Sequence, residues 1–179
     1  MPDGWLPHVR RVSSPNADAR PAGTDIDLIV LHAISLPPGE FGGPFIGQLF
    51  TNRLDRAAHP YFANLHELRV SAHFLLARDG GATQFVDIYQ RAWHAGESSW
   101  AGRARCNDYS IGIELEGSDE LPFTNRQYVA LAGLIAELRA RMPTIAPARI
   151  VGHCDVAPGR KSDPGPCFDW QRMARSLGA

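Results

Sequence analysis

The sequence lacks a long hydrophobic run, and it lacks an excess of charge of either sign. No stretch of its 179 residues approaches the roughly 20 apolar residues that a membrane-spanning helix requires. Lysine and arginine together number 18 against 19 aspartate and glutamate residues, so the formal net charge is −1. We therefore expect neither membrane insertion nor the large basic surface on which nucleic-acid binding depends.

Cysteine is scarce, and the first residues lack the features of an export signal. Cys106, Cys154 and Cys167 do not have the paired spacing of a thiolate metal site. Residues 1–8 contain neither a basic start followed by an apolar segment nor a small-residue cleavage site. These absences predict reduced thiols and a cytoplasmic location.

The chain also lacks internal repeats, low-complexity blocks and an evident linker. Its hydrophobic fraction of 44% and charged fraction of 21% are typical of a globular protein and not of a disordered one. We predict that residues 1–179 form a single domain, and we expect it to be a monomer.

Apolar patterns predict an α/β fold in which helices pack on a single mixed β-sheet. Asp79-Gly80 is typical of a hairpin turn, and Thr124 with Gln127 is typical of a capping box before a helix. The predicted strands cover residues 26–31, 70–76, 82–86, 111–115 and 150–151, the predicted helices begin near Pro44, Thr124 and Trp170, and little periodicity is found in residues 1–24, 51–70 and 90–110.

Two histidines follow predicted strands, where side chains commonly project into a site. They are His32, after the first apolar run, and His153, which opens a loop at 152–166 stiffened by three prolines and three glycines. This loop can fold back and bring Asp163 to both histidines, and two imidazoles with one carboxylate form a known catalytic zinc ligand set. The alternatives are structural histidines and a braced turn in which Asp163 and Lys161 form a solvated pair.

Two glutamates share one face of the predicted strand at 111–115. Glu114 and Glu116 alternate with Ile111 and Ile113, so the carboxylates and the apolar side chains point to opposite faces. A carboxylate beside a metal can take a proton from water. Glu114 is the candidate for this role, Glu116 competes with it, and solvent exposure of both is the alternative.

Longer motifs run through nearly the whole chain, from about Gly4 to Trp170. Those at 28–32, 70–73, 93–96, 111–117 and 152–166 resemble the zinc N-acetylmuramoyl-L-alanine amidases, whose superfamily includes phage-type lysozymes and peptidoglycan recognition proteins. Those at 35–44, 59–62, 105–108 and 160–166 are similar to the cytoplasmic branch that acts on 1,6-anhydro-N-acetylmuramyl-L-alanine. The resemblance implies the fold of the peptidoglycan recognition proteins.

The resemblance also implies roles for individual residues. His32, His153 and Asp163 match the ligands of one zinc ion per chain, Glu114 matches the catalytic carboxylate, and Lys161 matches a lysine that steadies the transition state.

Four further residues are expected at the substrate. Trp93 and His94 match positions that line the substrate groove, and His73 is expected to pack near its floor without binding metal. Arg69 and Arg105 match positions that contact the stem peptide, where a guanidinium suits a carboxylate; solvated surface charge is the alternative for both.

One residue departs from the family pattern. Ala33 stands after the first metal-binding histidine, where asparagine is common in this branch. The departure affects a substrate hydrogen bond and leaves the metal site intact.

The implied reaction is hydrolysis of the amide bond between the lactyl group of 1,6-anhydro-N-acetylmuramic acid and L-alanine, in peptidoglycan recycling. The implied partner is a small anhydromuropeptide. Two other functions stay open: a peptidoglycan-binding module without catalysis, and a wall autolysin of broad specificity.

Overall fold

A six-stranded mixed sheet forms the centre of the computed structural model, which describes residues 3–65 and 67–178. Two small sheets of two strands each lie beside it. The strands are β1 (Arg10–Arg11), β2 (Ala17–Ala19), β3 (Leu28–Ile34), β4 (Phe74–Leu76), β5 (Ala82–Gln84), β6 (Gln90–Ala92), β7 (Ser99–Trp100), β8 (Arg103–Ala104), β9 (Ser110–Glu116) and β10 (Ile150–Gly152). The α-helices are α1 (Phe45–Phe50), α2 (Asn125–Arg141), α3 (His153–Val156) and α4 (Trp170–Ser176), and 3-10 helices occur at Pro60–Asn64, Cys106–Asp108 and Pro147–Arg149.

The strand order in the main sheet is β1-β5-β4-β9-β3-β10. β9 pairs in parallel with both β4 and β3, and β10 extends the parallel part beyond β3. The hairpin of β4 and β5 supplies the antiparallel pairing, with Gly80 at the turn and a φ of 85°. The sequence prediction of an α/β fold with a mixed sheet and a turn at Asp79-Gly80 is therefore confirmed.

Alternation along β3 assigns its side chains to two layers. Ile29 and Leu31 pack in the larger core cluster with the buried face of α2, which includes Leu131 and Ile135. The intervening residues Leu28 and Val30 belong to a separate cluster on the other face, and His32 continues their series. The helix therefore covers one face of the sheet, while His32 lies on the opposite face with Leu28 and Val30.

Helix α2 begins at the predicted capping box. The Thr124 hydroxyl accepts a hydrogen bond from the Gln127 N–H at 3.1 Å, and the Gln127 side chain accepts one from the Thr124 N–H at 3.0 Å. The same hydroxyl donates to the carbonyl of Arg78 at 2.7 Å. The cap therefore ties the start of the helix to the β4–β5 hairpin. Within the described residues, no helix has the length and apolar character to span a membrane.

Several element boundaries differ from the sequence prediction. β3 continues to Ile34, so His32 lies inside the strand and not after it. Of the strand predicted at 70–76, only Phe74–Leu76 is regular, because the N–H of Ser71 bonds to Trp93 and not to a neighbour in the main sheet. β1, β2, β6, β7 and β8 were not predicted, since two or three residues are too few to show a period.

We expect Thr124→Ala to lower the free energy of unfolding by about 1 kcal/mol, because it removes the cap from the main packing helix. For a chain of this size that is a fall of roughly 2–4 °C in Tm, measured by circular dichroism. Thr124→Ser keeps the hydroxyl and is the matched control. Equal losses in the two variants would show that the hydroxyl does not stabilise the helix.

Candidate metal centre

Three side chains with metal-binding atoms converge at the carboxyl end of the central parallel strands. His32 Nδ1 lies 2.9 Å from His153 Nδ1, and Asp163 Oδ2 lies 3.2 Å from the first nitrogen and 3.0 Å from the second. Both imidazoles are buried, and the carboxylate is half-buried. No second group of three such side chains lies this close together in residues 3–65 and 67–178.

The chain brings these residues together through strand pairing and one folded loop. β10 pairs with β3 so that Gly152 lies opposite Leu31, and the next residue of each segment is a histidine. The Cys154 N–H then donates to the carbonyl of Asp163 at 2.9 Å, which closes the loop over His153. The predicted convergence of His32, His153 and Asp163 is thus present in the structure.

The protonation states of His32 and Asp163 suit a cation. Burial lowers the pKa of His32 to about 4, against the opposing effect of Asp163. Burial alone would raise the pKa of Asp163, but the adjacent imidazoles of His153 and His32 hold it well below its ordinary value. Neutral imidazole and ionised carboxylate are the forms that bind metals.

The donor set also fits zinc in its spacing. Ligand atoms of a tetrahedral zinc, each roughly 2.0–2.2 Å from the ion, are about 3.3 Å apart. The three atoms here are 2.9–3.2 Å apart, which is slightly tighter. Two nitrogens and one carboxylate oxygen are the ligand types of catalytic zinc sites, which leave a fourth position open.

Glu114 lies beside the group because β3 and β9 pair in parallel with His32 opposite Glu114. Its Oε2 is buried and has no hydrogen-bond partner among the described residues. Burial raises the pKa of Glu114 well above its ordinary value; Asp163 adds to the rise, and Lys161 opposes it. A carboxyl group with a raised pKa and an unpartnered oxygen is suited to exchanging a proton with a bound molecule.

Glu116 has a different role from Glu114. Its Oε1 accepts a hydrogen bond from the Gly42 N–H at 2.5 Å, and its Oε2 accepts one from the Arg78 N–H at 3.1 Å. Glu116 therefore ties the loop at 35–44 to the hairpin. The sequence left two competing carboxylates, and the structure places only Glu114 against the histidines.

A cavity of about 290 Å³ opens over this group. Lys161, Trp93 and His94 line it, as does Ala33. Its apolar wall was not predicted; it comes from Leu36, from α1 and from the segment that follows α1, with the side chains of Leu49, Phe50, Tyr61, Leu65, Leu68 and Val70. Their signal was helical spacing in α1 and the motif at 59–62, neither of which shows which way the side chains face.

Neither predicted arginine lines the cavity. Arg69 is exposed between two residues of the apolar wall. The Arg105 side chain is 70% exposed, and its Nε lies 3.2 Å from Asp108 Oδ2. His73 is buried as expected, and it accepts a hydrogen bond from the Gly112 N–H at 3.0 Å.

A family model described as N-acetylmuramoyl-L-alanine amidase matches residues 22–166, which is most of the chain. The chain belongs to the N-acetylmuramoyl-L-alanine amidase family. Membership agrees with the mixed sheet and with the group of ligand atoms at its carboxyl end.

Relatives and solved structures in this amidase family extend the likeness to the full length. The 1,6-anhydro-N-acetylmuramyl-L-alanine amidase AmpD of Citrobacter freundii is 56% identical over 97% of this chain and 92% of its own. A crystal structure of an AmpD selenomethionine derivative superposes with a TM-score of 0.95 at 55% identity, covering 99% of this chain and 98% of the other.

A more distant family structure contains a bound substrate. The amidase AmiD of Escherichia coli, in complex with anhydro-N-acetylmuramic acid-L-Ala-D-γ-Glu-L-Lys, superposes with a TM-score of 0.62 at 32% identity. The match covers 88% of this chain and 60% of that chain.

We expect the purified chain to hold about one zinc ion and Asp163→Ala to lose most of it, since a site with three protein ligands has none to spare. Elemental analysis of the desalted proteins measures this. Cys154→Ser is the matched control, because it changes a polarisable atom next to His153 without removing a member of the group. Full zinc content in Asp163→Ala, or its loss in Cys154→Ser, would mean that the ligands are different.

Proposed function

We propose that this chain is a zinc-dependent 1,6-anhydro-N-acetylmuramyl-L-alanine amidase of cytoplasmic peptidoglycan recycling. It cleaves the amide bond between the lactyl group of the anhydro sugar and L-alanine of the stem peptide. The observation that carries the proposal is the convergence of His32, His153 and Asp163 beside Glu114, in a chain 56% identical to a relative with that name.

His32, His153 and Asp163 would hold the zinc ion. Bound there, zinc supplies Lewis acidity, which polarises a carbonyl group and makes water more acidic. The chain contributes the neutral imidazole of His32, the imidazole of His153 and the carboxylate of Asp163, fixed by burial and by the closed loop after His153.

Glu114 is the proposed proton carrier. Its buried carboxylate takes the proton of the attacking water and gives it to the nitrogen of the leaving L-alanine, so one water molecule is added across the broken amide bond. The raised pKa suits both halves of this transfer, because a group must accept and release the proton within one cycle.

Lys161 is the proposed charge stabiliser. It lines the same cavity, and its positive charge acts on Glu114 and His32. An ammonium group here favours the negative charge that develops on the carbonyl oxygen during attack.

The cavity wall suits a compact sugar with a short peptide. Trp93 and Tyr61 offer aromatic faces of the kind that pack on the apolar side of a sugar ring. The exposed guanidinium groups of Arg69 and Arg105 lie outside the cavity, where the carboxylates of a stem peptide would extend. The AmiD complex with an anhydromuramyl-tripeptide supports this class of substrate.

The test is digestion of anhydromuramyl-tripeptide, followed by mass spectrometry of the anhydro sugar and the free tripeptide. Glu114→Gln should retain zinc and lose turnover by about 10²-fold or more, the usual scale for a proton-transfer group. Glu116→Gln is the matched control and should lose far less, because it positions a loop and not the reacting atoms.

Two results would point to the other functions. Tripeptide binding without cleavage by the zinc-loaded chain would indicate a peptidoglycan-binding module. Equal kcat/KM on the anhydro substrate and on the reduced muramyl-tripeptide would indicate an autolysin of broad specificity.

A further inference from the structure

His94 lies beneath the metal centre, behind one of the proposed ligands. Its side chain is partly buried, and its Nδ1 lies 2.9 Å from His32 Nε2, the ring nitrogen that faces away from Asp163. Its other nitrogen, Nε2, lies 3.1 Å from Ser110 Oγ. His94 therefore bridges β9 and His32 in addition to lining the cavity.

The strand beneath His94 leaves space for this ring. A Cβ at Gly112 would lie 2.4 Å from His94 Cγ, so only glycine permits the imidazole to rest on the backbone of β9. The backbone N–H groups of His94 and Ala95 both donate to Asn107 Oδ1, at 3.2 and 2.8 Å. The backbone hydrogen bonds to Asn107 and the close approach to β9 therefore fix the position of the His94 ring.

The carbonyl group of Cys106 determines where the protons lie in the series of contacts from His32 through His94 to Ser110. Ser110 Oγ lies 2.6 Å from the carbonyl oxygen of Cys106, which can only accept, so the hydroxyl proton points there. Ser110 then accepts the Nε2 proton of His94. A neutral His94 has no proton left on Nδ1, so this nitrogen accepts the Nε2 proton of His32.

The other neutral tautomer of His94 is excluded by the same carbonyl group of Cys106. If His94 carried its proton on Nδ1, its Nε2 would need the Ser110 hydroxyl proton. Two oxygen lone pairs of Ser110 and Cys106 would then face each other at 2.6 Å. The order of donors therefore leaves His32 with a lone pair on Nδ1, directed at His153 and Asp163.

Ala95, the residue after His94, contacts the second candidate histidine ligand, His153. His153 Nε2 lies 3.1 Å from the carbonyl oxygen of Ala95, which also accepts a hydrogen bond from Arg160. That carbonyl can only accept, so the ring proton of a neutral His153 lies on Nε2 and leaves Nδ1 free to bind. The His94-Ala95 segment thus faces the outer nitrogens of both histidines.

We propose that His94 is a positioning residue for the metal centre: its Nδ1 accepts the Nε2 proton of His32 and so fixes His32 with its Nδ1 free to bind. Ser110 fixes the orientation of His94 in turn. The inference rests on the proposed function only in taking His32 as a metal ligand. Partners of this kind hold a ligand ring in one tautomer, and their loss typically weakens metal binding about 10–100-fold.

The experiment measures the zinc dissociation constant by competition with a chelator. His94→Phe keeps a ring but has no acceptor, and zinc binding should weaken about 10–100-fold. His94→Asn is smaller but returns an acceptor oxygen near the position of Nδ1, so it should recover most of the affinity. A role in packing alone predicts the reverse order, because phenylalanine fills the space better than asparagine does.

The tautomer of His94 can also be measured directly, without any substitution. Long-range proton–nitrogen correlation spectra of the zinc-loaded, ¹⁵N-histidine-labelled chain should show that His94 is protonated on Nε2 and unprotonated on Nδ1. A proton on Nδ1 of His94, or an unchanged zinc constant in folded His94→Phe, overturns the inference. If His94→Phe does not fold, His94→Asn is compared with His94→Ala, and equal zinc constants for these two overturn it.

The proposed function can fail separately. An unchanged zinc constant in Asp163→Ala would remove the ligand assignment itself, whatever the His94 variants do. Normal zinc binding and cleavage by the wild-type chain, with unchanged binding in His94→Phe, would leave the amidase in place and remove only the role of His94.

Discussion

The parallel register of β3 with β9 and β10 is the constraint on which the rest of the site depends. It places His32 opposite Glu114 on one side and brings His153 beside His32 on the other. These two ladders therefore position the two candidate histidine ligands and the candidate proton carrier, while Asp163 comes from the loop after His153. A shift of one residue in either ladder would turn a side chain to the opposite face, where α2 packs.

Burial gives this arrangement its chemical character. The histidines and Glu114 lie in the interior, where a charge is costly unless it is balanced. A neutral His32, an ionised Asp163 and a Glu114 with a raised pKa are the outcome. Glu116 accepts a hydrogen bond from the Gly42 N–H, while the buried Oε2 of Glu114 has no partner among the described residues.

The sequence was most informative where a residue type has few structural uses. The capping box at Thr124, the turn at Gly80 and the loop carrying Asp163 were all predicted, because each depends on local chemistry. The alternation in β9 placed Glu114 and Glu116 on one face, but only the tertiary contacts separated their roles.

What the sequence could not supply was the direction of side chains in irregular segments. The sequence motif placed His94 at the substrate groove, and His94 does line the cavity, but its contact with His32, for which Gly112 leaves room on β9, was not predicted. The apolar wall at Tyr61 and Leu68 comes from a segment without periodicity. Short strands such as β2 and β6 exist only through pairing with distant partners, and no local pattern reports such pairing.

The most direct test of the account is the position of the metal, located by anomalous X-ray diffraction at the zinc absorption edge. The account predicts one strong peak about 2.0–2.2 Å from His32 Nδ1, from His153 Nδ1 and from a carboxylate oxygen of Asp163. A peak at the cysteines, a peak bound through the Nε2 of either histidine, or no peak among these three side chains would contradict it.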